Sequence, residues 1–127
     1  MQKEEKQKPR YGTVNFEKRK HPRFDVDLPV EYGPGELFIQ QGRALNMSEG
    51  GLLLYLPEQM EVGRHLSLKL FLPFGSKLET IEILVEVAWV DIHLEKDWGD
   101  YRTGVRFADI SPDGLNKIKN FLRNLLG

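Results

Sequence analysis

Apolar residues return at every second position along most of this chain. Val26, Leu28, Val30 and Tyr32 alternate with Asp27, Pro29 and Glu31, which predicts a strand over 26–32, and Gly33-Pro34-Gly35 then supplies a turn. A second strand is predicted over 37–45, followed by a turn from Asn46 to Gly51. Leu52, Leu54 and Leu56 share one face of a third strand that Pro57 closes, and Leu66, Leu68, Leu70 and Leu72 repeat the pattern before Pro73 and Gly75. The longest alternation is Ile81, Ile83, Val85, Val87 and Trp89, with Glu82 and Glu86 at two of the positions between. It predicts a long central strand with one buried and one wet face, and places Trp89 on the buried one. Asp97 to Asp100 reads as a loop, after which Tyr101, Thr103, Val105 and Phe107 point one way from a sixth strand.

Short strands separated by turn residues describe an antiparallel sandwich or barrel. The period changes at the end of the chain. Ser111 is placed to cap a helix that has Pro112 at its first position and Asp113 near the positive end of its dipole. Leu115, Ile118, Phe121, Leu122 and Leu125 then recur at helical spacing, so an amphipathic α-helix is expected to pack on the strands.

With 127 residues, 40% of them hydrophobic, the chain can build one core of ordinary size. The net charge of −1 conceals a division along it. Residues 1–23 hold eight Lys or Arg against three Glu (+5), and residues 24–127 hold ten against sixteen acids (−6). An acidic body argues against DNA or RNA as a partner, whereas a local pocket for a small anion is compatible with it. The polar, lysine-rich start lacks apolar periodicity and reads as a flexible tail. With no cysteine, no apolar run near the length of a membrane span and no secretory signal in the polar opening residues, a cytoplasmic protein without membrane insertion is expected.

Residues 19–23, Arg-Lys-His-Pro-Arg, stand immediately before the first strand. Pro22 pushes His21 away from helical backbone, so Arg19 and Arg23 occupy a loop or extended segment, their α-carbons at most about 13 Å apart. Each guanidinium is a rigid donor fork that fits phosphate oxygens or the O6/N7 edge of guanine, and its plane stacks on a base. Asn46, Ser48, Gly50 and Gly51 fall at a turn, where Asn and Ser side chains bond either local backbone or a ligand and glycines allow close backbone approach.

Other chemistry finds little support. His21, His65 and His93 show no metal-ligand spacing, and there is no P-loop, dinucleotide fingerprint or nucleophile elbow, so neither a cofactor, a metal nor catalysis is expected. Arg102 and Arg106 are read as exposed and paired across strands with acidic neighbours.

The Arg19-x-x-x-Arg23 loop leading into the first strand, followed by Asn46-x-Ser48-x-x-Gly51 between the next two, resembles the PilZ domain, a bacterial receptor for the second messenger cyclic di-GMP. The long strand ending near Trp89, the Gly104-Val-Arg-Phe107 stretch and the terminal helix extend the likeness over residues 18–127, leaving 1–17 as the tail. The resemblance implies a six-stranded antiparallel β-barrel with a C-terminal helix. It also implies that Arg19 and Arg23 contact guanine edges, guanine faces and phosphate, that Asn46 and Ser48 hold base or phosphate, and that Gly51 lets backbone approach. A basic residue at the position of Lys18 is associated in the family with a stacked pair of messengers. Ordering of residues 1–23 on ligand capture would then signal to a protein partner. The alternative is an interaction module of the same fold that binds no nucleotide.

Overall fold

The structure, a computed structural model, describes residues 21–92 and 101–126. Lys18, Arg19, the 1–17 tail, His93 and the 97–100 loop lie outside the described residues.

Among the described residues, six strands, β1 (Phe24–Gly33), β2 (Gln40–Met47), β3 (Gly51–Leu56), β4 (His65–Phe74), β5 (Lys77–Ile92) and β6 (Tyr101–Asp109), precede one helix, α1 (Pro112–Leu125). They close into a barrel in the order β1-β2-β3-β6-β5-β4, every neighbouring pair antiparallel. Closure returns β4 to β1 through pairs such as Val30 with Leu70 and Tyr32 with Leu68. The alternating residues meet inside: Leu28, Val30, Tyr32, Leu52, Leu54, Leu56, the β4 leucines, Ile81, Ile83, Val85 and Val87 are all buried. Burying a side chain of this size stabilises the fold by about 1.5–3 kcal/mol, which makes this layer the main source of stability.

The second strand begins later and ends later than expected. Leu37 and Ile39 belong to the β1–β2 connection and are exposed, while Asn46 and Met47 are the last residues of β2. The turn between β2 and β3 is accordingly short, residues 48–50. At α1, the Ser111 hydroxyl accepts from Gly114 N at 2.9 Å, as its capping position predicts. Gly114, Ile118, Phe121 and Leu122 form the buried stripe, with the Phe121 ring edge-on to Phe74 at 6.3 Å and Lys117 Nζ 3.1 Å from Glu79 on β5. Leu125, expected on that stripe, is instead exposed.

Candidate functional site

The β1–β2 ladder pairs Phe24 with Met47, and that register carries Arg23 to the level of Ser48 at the mouth of the β2–β3 turn. The β3–β6 ladder sets Gly51 beside Arg106, and the β5–β6 ladder sets Arg106 beside Glu86. Segments distant in sequence thus converge on one cleft of about 310 Å³, lined among others by His21, Arg23, Ser48, Trp89, Gly104 and Arg106.

Trp89 corrects the reading from alternation. Val87 pairs with Val105 and Trp89 with Gly104, so two steps along β5 answer one along β6. This bulge inserts Ala88 and inverts the faces beyond it: Trp89 turns outward, 38% exposed, and Val90 packs inward. The indole lies on Gly104, where a Cβ would overlap its pyrrole edge. Period alone put Trp89 in the core. The available signal was Gly104, an interior strand glycine, which marks a bulge or a close approach by another group.

Ser48 is buried and its hydroxyl oxygen accepts from Gly50 N at 3.1 Å and Gly51 N at 3.2 Å, while Ser48 N donates to Gly51 O at 3.0 Å. It therefore holds the turn in shape, and its hydroxyl proton remains directed by whatever acceptor lies beside it. Gly51 has no space for a Cβ, which would overlap the carbonyl of Val105; the close approach at this glycine is that of β6. Gly50 lies under the His21 ring, with Cδ2 3.2 Å from the position of a Cβ, and Gly50 O accepts from Phe107 N at 2.9 Å. The turn is in this way tied to both the His21–Arg23 segment and β6.

Asn46 is not among the residues lining the cleft. It sits between Asp25 and Leu53 in the barrel wall, next to an irregularity in the β2–β3 register, and its Oδ1 is buried without a hydrogen-bond partner among the described residues.

The cleft's charge is cationic at Arg23 and Arg106. Arg106 Nε donates to Glu86 Oε1 at 3.1 Å, and this hydrogen bond holds the Glu86 carboxyl below the usual carboxylate range and raises the guanidinium's pKa. Arg102 likewise reaches Asp91 at 2.6 Å. Both arginines thus make the cross-strand pairs expected of them, Arg106 exposed and Arg102 half-buried.

A model of the PilZ domain family matches residues 17–124, and the chain belongs to that family. Comparison with curated proteins finds no match. Among solved structures, the fold is similar to MotI/DgrA, the Bacillus subtilis inhibitor of motility, at 20% identity and a TM-score of 0.70 over 86% of this chain and 51% of that one. It is also similar to the PilZ domain of Escherichia coli YcgR, solved with c-di-GMP, at 12% identity and a TM-score of 0.62 over 85% of this chain and 94% of that one. A longer Escherichia coli YcgR structure in complex with c-di-GMP gives 14% identity and a TM-score of 0.65 over 86% and 46%. This chain spans about half the length of MotI and of the longer YcgR, 51% and 46%.

Proposed function

We propose that this protein is a non-catalytic receptor for cyclic di-GMP, held in the cleft between the His21–Arg23 segment, the β2–β3 turn and the outer face of β5 and β6. The observation that carries the reading is the meeting of Arg23, Trp89 and Arg106 on one cleft. A ligand with two phosphates and two guanines needs donor forks for its anionic oxygens and purine edges, together with flat surfaces for its bases. Arg23 and Arg106 supply forks, and the outward Trp89 supplies an aromatic face. Arg19 adds a third fork when the segment before His21 closes on the ligand. Ser48 donates its hydroxyl proton, and Asn46 Oδ1, a buried acceptor, receives a guanine or arginine N–H on closure. The solved complexes of YcgR with c-di-GMP support this reading through their shared fold.

Capture of the messenger by Arg19 and Arg23 draws residues 1–23 over the barrel and changes the surface offered to a protein partner. Lys18 adds a cation beside the doubled phosphate charge of a stacked messenger pair, so two ligands per chain are expected.

Calorimetric titration with cyclic di-GMP tests the reading. Arg23→Ala is expected to weaken binding by about 1.5–3 kcal/mol, roughly ten- to over a hundredfold. Wild-type protein that gives no binding heat would favour the interaction-module alternative, and a ratio near one ligand per chain would remove the stacked pair. Amide exchange of residues 18–23 is expected to slow with ligand, and an unchanged profile there would overturn the closure.

A further inference from the structure

A second groove, of about 370 Å³, lies on the other side of the same two segments that wall the cleft. Pro22, Phe24 and Leu122 form its apolar base, Leu126 its 74% exposed lip, and Lys119, Arg123 and Glu49 its charges. Neighbouring residues of each segment face opposite ways. Arg23 lines the cleft while Pro22 and Phe24 line the groove, and Ser48 and Gly50 line the cleft while Glu49 lines the groove.

The chain itself carries a segment suited to this groove. Residues 1–20 join the described structure at His21, one residue before the groove's own Pro22, so the sequence just upstream is tethered at its mouth. That sequence is Val14-Asn-Phe-Glu17 followed by the cations Lys18, Arg19 and Lys20. Phe16 is the last apolar residue before His21; Glu17 complements Lys119 and Arg123, and the cationic run complements Glu49. A tether of a few residues makes the local concentration of such a segment high, on the order of millimolar.

We propose that residues 14–17 dock in this groove in the ligand-free protein, Phe16 on the apolar base and Glu17 against Lys119 and Arg123, and that cyclic di-GMP displaces them. The displacement rests on the receptor reading above. Arg19, three residues after Phe16, is drawn toward the cleft by ligand, on the opposite side of the Pro22–Phe24 wall from the groove. Ligand capture thereby uncovers an apolar surface with a cationic rim, a docking place for a partner segment that pairs an apolar side chain with a carboxylate.

The absence of native cysteine allows a single nitroxide label at Asn15→Cys in the full chain. Docking predicts selective paramagnetic broadening of the Leu122 and Arg123 amides over those of Leu84 and Asp109, lost when Phe16→Ser is added. Broadening that is equal at the two places, or unchanged by Phe16→Ser, overturns the docking. Saturating cyclic di-GMP is expected to abolish the selective broadening. Calorimetry on the same labelled protein separates the two readings. Ligand that binds without reducing the broadening overturns the displacement, whereas absence of binding removes the receptor reading and leaves the docking to be judged by Phe16→Ser.

Discussion

The indole of Trp89 rests on the backbone of Gly104, its strand partner across β5 and β6, with no room between them for a methyl group. This relationship places an aromatic face on the cleft, because the glycine allows the ring to lie against the sheet. Gly104→Ala is expected to lift the indole and cost about 1–3 kcal/mol as an overpacking change. In a Trp98→Phe background, the emission of Trp89 should move to longer wavelength and the urea midpoint should fall. An unchanged spectrum would mean that the ring does not depend on the glycine.

Gly51→Ala should be the more damaging glycine change at the turn. Its Cβ would overlap the Val105 carbonyl, a backbone group that cannot rotate away as a side chain can. The β3–β6 pairing must open locally, at a cost of about 1–3 kcal/mol. Amide exchange at Phe107, whose N–H donates to Gly50 O, should accelerate with the loss of stability.

Ser48→Ala removes an acceptor from two backbone donors, Gly50 N and Gly51 N, in a partly buried turn. Leaving such groups unpaired costs about 1–3 kcal/mol. Chemical denaturation measures this effect without ligand. A variant of wild-type stability would mean that water takes over both donors.

The Arg106–Glu86 pair sets a pH dependence. The hydrogen bond from Arg106 lowers the Glu86 pKa from its ordinary value of 4.5, so the pair's contribution is present above that value and is lost as pH falls through the lower folded value. Carbon-detected titration of Glu86 should show this depressed midpoint, and Arg106→Gln should return it toward the ordinary value. Both groups are at the surface, so added salt should weaken the shift.

Ser111→Ala should lower stability by about 0.5–2 kcal/mol through loss of the helix cap, since its hydroxyl accepts from Gly114 N. The loss should appear as faster exchange in the first turn of α1 and a lower urea midpoint.

Much of the architecture was legible because strand faces and helix stripes follow from local geometry. Alternation over 26–32, 52–56, 66–72 and 81–87 assigned the buried face of four strands, and Ser111-Pro-Asp marked the start of α1. Even the pairing of Arg102 and Arg106 with acids followed from an exposed strand face in an acidic body. The candidate site was legible in part. Arg23, Ser48 and Gly51 do line one cleft, while Asn46 stands in the barrel wall outside that lining.

The amino-acid sequence by itself determined which side chains alternate, where turns interrupt them and where the period changes to helical, because each depends on residues within a few positions of one another. Tertiary structure alone decided that β6 inserts between β3 and β5, that the Ser48 hydroxyl holds its own turn, and that Trp89 faces the cleft instead of the core. The physical reason is register. A bulge at Ala88 is a mismatch between two strands, and its effect on Trp89 exists only once β5 has paired with Gly104 on β6.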